Sequence, residues 1–237
     1  EKGGRPRFCV YGDDVDIYYR SKGVLYRISP DFKQMDGSVD ADIISHAIDY
    51  VYQTLSRVWG ENPFFRQVAE LWKEFATDPS FLIHGTKVWQ KTQKDGLMTG
   101  VVGTTFFDTA KSAFAYNEWA NQIECGSRQL LEEKSAVTFF SQKFGLVVKE
   151  GTWVPSRVQE EPIPGVLVSE NKFLGMMMMY RGGPQEIEPV PYLPEDEWTN
   201  LLMVPRDDPV NFRRGRPKDS QLIVSRRWYD RARGYMV

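Results

Sequence analysis

Tyr11-Gly12-Asp13-Asp14 lies between two runs rich in strand formers, Phe8-Cys9-Val10 before it and Val15-Asp16-Ile17-Tyr18-Tyr19 after it. Gly-Asp is turn chemistry, so the stretch predicts a β-hairpin with two adjacent carboxylates, Asp13 and Asp14, at its tip. Clustered carboxylate oxygens suit hard divalent cations such as Mg²⁺ or Mn²⁺, and phosphoryl-transfer sites use two of them. A second pair, Asp31 and Asp36, follows a predicted strand, Val24 to Ser29, which the turn Ser21-Lys22-Gly23 joins to the hairpin. If the two strands are neighbours, Asp13 and Asp31 meet at one sheet edge and can share metals. Taken singly, each of these residues is equally well a solvated turn or helix-cap aspartate.

The elements that must position them can be read from periodicity. Ile44, Ala47, Ile48, Val51, Tyr52, Leu55, Val58 and Trp59 recur at three and four residues, predicting an amphipathic helix from Ala41 to Trp59 that Gly60 ends. Asn62-Pro63 is an N-cap followed by proline at the first helical position. It opens a predicted helix to Ala76 expected to bury Phe64, Phe65, Val68, Leu71, Trp72 and Phe75. Ser80 to Thr92 reads as a hairpin turning at Gly85, and Gly96, Gly100 and Gly103 make a loop able to change shape. A helix from about Gly103 to Glu124 and another from Ser127 to Phe144 are separated by Cys125-Gly126 alone. Gly145 is a left-handed stop, and Leu146 to Lys149 a strand. Past Gly151 prolines break the chain into short strands and irregular connections, with one helix expected around Glu195 to Met203 and a packed strand at Met176 to Met179. His46 and His84 have no evident chemical partner and are expected to be structural.

Composition narrows the class. The apolar fraction of 41% is that of a globular protein, and no apolar run reaches the ~18–20 residues of a membrane span. The start, Glu1-Lys2-Gly3-Gly4-Arg5-Pro6, is no signal peptide, and the chain is expected to be a piece of a longer polypeptide. Cys9 and Cys125 lack zinc-type spacing and are expected to be buried thiols in a reducing compartment. The net charge of −2 gives no bulk signature of nucleic-acid binding, although Arg206 to Arg233 holds nine basic residues against four acidic ones.

Together these pieces resemble the palm motifs of viral RNA-dependent RNA polymerases. Tyr11 to Asp14 is similar to motif C and Asp31 to Asp36 to motif A. Thr99-Gly100-Val101-Val102-Gly103-Thr104-Thr105-Phe106-Phe107-Asp108 resembles motif B, with Thr99 for the family's Ser and Asp108 for its Asn. Leu146 to Lys149 resembles motif D and Lys172-Phe173-Leu174-Gly175 motif E. The order C, A, B is that of the permuted palms of birnaviruses and insect permutotetraviruses, and the Gly-Asp-Asp form of motif C makes the chain more similar to the latter. In a permuted palm the helices after motif B and of motif D become nearly contiguous, as the Cys125-Gly126 break suggests.

The resemblance implies an α+β fold: a right-hand polymerase palm, an antiparallel sheet backed by helices, over 1–160. It implies that 161–237 carries motif E and the start of a thumb. It implies metal ligation by Asp13 and Asp31 with Asp14 accessory, and Mg²⁺ or Mn²⁺ as cofactor. Lys149 would be the general acid toward leaving pyrophosphate. Asp36 and Asp108 would read the ribose 2′-hydroxyl, their mutual repulsion relieved by a proton or a neighbouring cation. Thr99, Gly100 and Thr104 would shape the loop under the nascent base pair. The implied partners are template and product RNA, ribonucleoside triphosphates, and fingers and thumb parts of the same polypeptide. The family's basic fingers element has no match here, so this segment alone is expected to be inactive. Two alternatives stay open: a reverse transcriptase, against which Asp36 argues, and a non-catalytic RNA-binding module of palm-like fold.

Overall fold

The structure, a computed structural model, describes residues 4–77, 82–84, 86–89, 96–97, 103–158, 166–168, 173, 176–181 and 188–192. Strands β1 (Arg7–Tyr11), β2 (Asp14–Ser21) and β3 (Val24–Ile28) form an antiparallel meander, since two-residue loops can join only antiparallel neighbours. Lys22 and Gly23 both take positive φ, 47° and 80°, the signature of the type I′ turn that suits strand twist. A short strand β4 (Phe32–Lys33) and a 3₁₀ turn (Met35–Ser38) lead into helices α1 (Ala41–Trp59) and α2 (Pro63–Thr77). Asn62 caps α2 as expected, its Oδ1 accepting the Phe64 N–H at 2.9 Å.

A small hairpin, β5 (Leu82–His84) and β6 (Lys87–Trp89), precedes the long helix α3 (Thr104–Glu124). Then come a 3₁₀ turn (Arg128–Leu131), α4 (Glu133–Phe144), β7 (Val147–Val148) and β8 (Ser156–Arg157). β8 extends the main sheet to the order β1-β2-β3-β8, and β7 pairs with β4. Strands β9 (Val166–Val168), β10 (Met177–Arg181) and β11 (Glu188–Tyr192) form a separate antiparallel sheet; Met177 to Met179 lie in β10, and Met176, expected in the same packed strand, lies just before it and is exposed. Phe173 and Met176 exchange both backbone hydrogen bonds just before it. The expected antiparallel sheets and helices are thus present.

Alternation along β2 divides the sheet's faces. Val15 and Ile17 join the main core on one face; Asp16 and Tyr18 take the other, where Tyr18 packs with Phe173 and Met178. α3 lies against the first face, where Ala115, Tyr116, Trp119, Ala120 and Ile123 are buried, while Phe106, Phe114, Asn117 and Glu124 face out. Phe32, Tyr116, Trp119, Phe140 and Trp153 form one aromatic cluster whose ring centroids lie 5.1 to 6.4 Å apart. Each such burial stabilises by about 1.5–3 kcal/mol, which makes this cluster the rigid base beneath the hairpin.

Three expectations are corrected. The helix expected over Ser127 to Phe144 is broken at Glu132, whose backbone is extended. Its preceding carbonyls are taken by indoles, Leu130 O by Trp119 Nε1 at 2.9 Å and Leu131 O by Trp153 Nε1 at 3.0 Å. On α2 the core face is Ala69, Trp72 and Ala76; Phe64, Val68, Leu71 and Phe75 are exposed instead of buried, as are Val58 and Trp59 of α1. The core that α1 and α2 share is built from Ile44, Ala47, Ile48, Ala69 and Ala76, with Tyr52 and Trp72 packed against it. Finally, Cys125 is exposed and Cys9 only partly buried.

Candidate active site

Tyr11 pairs with Asp14 across β1 and β2, leaving Gly12 and Asp13 as a two-residue loop. Gly12 has φ 65° and Asp13 is not among the positive-φ residues, the pattern of a type II′ turn, which favours glycine at its first central position. Of the two carboxylates expected at the tip, Asp13 lies in the loop and Asp14 is the first residue of β2. The loop rests on α3: the Gly12 N–H donates to Thr109 Oγ1 at 2.7 Å, and the Ser112 hydroxyl donates to the Gly12 carbonyl at 2.9 Å.

Asp31 sits between β3 and β4. Its N–H donates to Thr152 Oγ1 at 3.2 Å and its carbonyl accepts the Lys149 N–H at 2.7 Å. The β4–β7 register, Phe32 opposite Val148 and Lys33 opposite Val147, brings Lys149 across from Asp31. There Lys149 Nζ donates to Asp31 Oδ2 at 2.5 Å. This hydrogen bond, aided by the charges of Asp31, Asp13 and Asp14, holds the Lys149 ammonium above its usual range. Water screens the exposed pair, so its contribution to stability is small. Asp31 alone contacts the ammonium, while the charges of Asp13 and Asp14 on the hairpin reach it through space.

Asp36 and Asp108 also come together. Asp36 lies in the 3₁₀ turn, pinned by the Leu97 N–H on its carbonyl at 2.7 Å. Asp108 lies near the start of α3 with only 5% of its surface exposed. Burial, then the charge of Asp36 and a hydrogen bond with its carboxylate, then the charge of Asp13, push Asp108 up to about 8. At neutral pH Asp108 therefore carries a proton and donates it to Asp36. Of the two ways to relieve repulsion, the proton is the one used. Lys111, one turn along α3 and buried, pairs with Asp40 at the N-cap of α1 instead. A protonated Asp offers one donor and one acceptor, as the Asn implied at this position would. Asp108 Oδ1 has no partner among the described residues, so an acceptor is left over in the pocket.

Thr104 is the first residue of α3, directly after Gly103, whose φ is 93°. Thr99 and Gly100 lie outside the described residues, as do Lys172, Leu174, Gly175, the helix expected near Glu195 and the basic run from Arg206. His46 is exposed with its ring on the Asp42 carbonyl. Thr109, Ser112 and Thr152, which hold the carboxylate-bearing segments, were not singled out in the sequence. The available signal was two hydroxyls spaced i, i+3 on a helix face beside Asp108. Beneath the site the Tyr116 hydroxyl is buried without a partner among the described residues, and burial and the charge of Asp31 keep it neutral, well above the ordinary tyrosine value.

The family model of the permutotetravirus RNA-dependent RNA polymerase palm domain matches residues 1–177. The chain belongs to this family. Among solved structures, the palm is similar to a chain in the X-ray structure of the birnavirus VP1–VP3 complex, at 18% identity and a TM-score of 0.48. That likeness covers 81% of this chain and 26% of the other, so the palm spans about a quarter of that chain's length. No curated protein matches. The C-A-B reading thus corresponds to a permuted palm, in which the hairpin, the β3–β4 link and α3 follow one another.

Viral RNA-dependent RNA polymerases generally use divalent metal ions. Among the described residues no three carboxylate, histidine or cysteine side chains converge closely enough to hold one. The donor set still suits a hard cation, because Asp13, Asp14 and Asp31 offer oxygen alone and all act on one positive charge, that of Lys149.

Proposed function

We propose that this palm is the catalytic centre of a viral RNA-dependent RNA polymerase. It would join ribonucleotides to an RNA 3′-hydroxyl under template direction, releasing pyrophosphate, for genome replication and transcription. The observation that carries the reading is the Asp31–Lys149 hydrogen bond, which the charges of Asp13 and Asp14 also reach, in a chain of this family.

Asp13 and Asp31 would be the principal ligands of Mg²⁺ or Mn²⁺, with Asp14 accessory. When bound, the cations would acidify the 3′-hydroxyl and neutralise triphosphate charge. Lys149, whose ammonium the Asp31 hydrogen bond favours, would give its proton to the leaving pyrophosphate oxygen. Asp36 accepts from the ribose 2′-hydroxyl, and Asp108, holding its proton toward Asp36, fixes that carboxylate as an acceptor. Thr104, with Thr99 and Gly100, shapes the loop under the new base pair. Template and product RNA would lie over the sheet. The fingers and the thumb that begins within 161–237 belong to the same polypeptide, and the exposed α2 residues Phe64, Val68, Leu71 and Phe75 give fingers elements an apolar face to pack on.

The test is nucleotide incorporation by the parent polypeptide on a primed RNA template, with Mg²⁺ or Mn²⁺ and with ribo- and deoxynucleotides offered separately. Ribonucleotide incorporation abolished by both Asp13→Asn and Asp31→Asn is expected. Incorporation surviving both substitutions would place the chemistry elsewhere. A preference for deoxynucleotides would mean a reverse transcriptase, and no incorporation by the folded parent a binding module.

A further inference from the structure

In a two-residue hairpin loop the central peptide groups have no ladder partners, and buried ones must find them elsewhere. The Gly12 peptide finds both on α3. Its N–H donates to Thr109 Oγ1 at 2.7 Å, and that hydroxyl passes its own hydrogen to the Thr105 carbonyl at 2.6 Å. Its carbonyl accepts the Ser112 hydroxyl at 2.9 Å. Gly12 and Ser112 are both buried, so water does not compete for the Ser112 bond, while Thr109 is half-buried. The two grips, three residues apart on one helix face, fix the orientation of the residue that immediately precedes Asp13.

The same helix turn carries Asp108, which meets Asp36. The opposing carboxylate, Asp31, is fixed independently through Thr152 and the β4–β7 pairing. Neither Thr109 nor Ser112 is needed to close the turn, which Tyr11 and Asp14 already close. What the hydroxyls add is a fixed relation between the turn and α3.

We infer that Thr109 and Ser112 are positioning residues: they lock the Gly12–Asp13 turn onto α3 and so set the Asp13 carboxylate against Asp31 for catalysis. This rests on the polymerase reading above. Because a misplacement near 1 Å at reacting groups lowers rates about 10²-fold, loss of both grips should lower kcat by roughly 10- to 100-fold. KM for the nucleotide, read at saturating metal, should change less than kcat, since Asp36 lies in the 3₁₀ turn and Asp108 on α3, both outside the gripped turn.

The experiment compares the full polymerase polypeptide with Thr109→Val/Ser112→Ala and with the hydroxyl-retaining Thr109→Ser. Incorporation kinetics are measured together with Mn²⁺ binding followed by electron paramagnetic resonance. The expected result is a lower kcat, a KM changed less than kcat and weaker Mn²⁺ binding in the double variant, with Thr109→Ser close to wild type. Unchanged kcat and Mn²⁺ binding in the double variant would overturn the inference, even where its melting temperature falls. So would an equal loss in Thr109→Ser, because the hydroxyl would then not be the cause. If the double variant does not fold, Ser112→Ala alone is read by the same criteria. Absence of incorporation in the unsubstituted polymerase would sink the polymerase reading rather than the clamp, which Mn²⁺ binding still tests.

Discussion

Replacing Asp108 by asparagine swaps a proton-dependent donor for a permanent one. In the folded palm the Asp108 carboxyl is pushed up to about 8, against 3.8 when exposed. Below pH 3.8 it is neutral in both states and exacts no penalty. As pH rises from there to about 8, the unfolded chain loses this proton while the folded chain keeps it, so stability falls at about 1.36 kcal/mol per pH unit. From pH 5 to pH 7 the loss is about 2.7 kcal/mol, and at pH 7 it totals roughly 4 kcal/mol relative to strong acid. The amide introduced by Asp108→Asn would keep the hydrogen bond to Asp36 and have nothing to titrate. The substituted protein should therefore be more stable at pH 7 and less sensitive to pH.

The assay is thermal unfolding of both proteins between pH 5 and pH 8 in the presence of a chelator. Groups away from this pair are common to both proteins, so the difference between the curves reports on position 108 and the carboxylates it touches. At about 2–4 °C per kcal/mol for a chain of this size, the wild-type Tm should drop about 5–10 °C more than the variant's between pH 5 and pH 7. Infrared spectroscopy should show a protonated-carboxyl band at pH 6.5 that the variant lacks. Parallel Tm curves, with no such band, would refute the shared-proton pairing and leave Asp36 and Asp108 both charged.

The Lys111–Asp40 pair should respond asymmetrically. Asp40→Ala strands a buried ammonium and should cost about 3–5 kcal/mol, whereas Lys111→Met leaves a half-exposed carboxylate in water and should cost far less by chemical denaturation. Gly103→Ala should destabilise by about 2–4 kcal/mol in the same measurement, because φ is 93° and an added Cβ would lie 2.9 Å from Trp72 Cζ2 and 3.1 Å from Phe107 Cε2. Tyr116→Phe removes an unpartnered buried hydroxyl and should leave calorimetric stability unchanged or raise it by about 1 kcal/mol. A drop of about 2 kcal/mol or more would show that this hydroxyl has a partner.

What could be read from the sequence was whatever depended on neighbours in the chain. The Gly12-Asp13 loop, the N-cap at Asn62 and the left-handed stop at Gly145 each need only local chemistry, and each is found. Burial on α2 was misread because a helix with apolar residues on two faces does not declare which face the core takes. Ala69 and Ala76 are the residues buried in the core, with Trp72 packed against it, and Phe64, Leu71 and Phe75 are left outside. The break at Glu132 was invisible for a related reason: the indoles that capture the Leu130 and Leu131 carbonyls come from residues 11 and 22 positions away.

The site carboxylates were legible as types, but their relations were not. Asp31 and Lys149 are 118 residues apart and meet because two two-residue strands pair. Gly12 is 97 residues from Thr109 and 100 from Ser112, yet its peptide is satisfied by both. Here the permuted order has a physical consequence. With the Gly12–Asp13 turn placed early in the chain, no short connection ties it to α3, and its relation to that helix must be made through space. Hydrogen bonds to the backbone of the turn do this without constraining the Asp13 side chain, which stays available for ligation. On the inference above, α3 makes that relation by gripping the turn through its peptide.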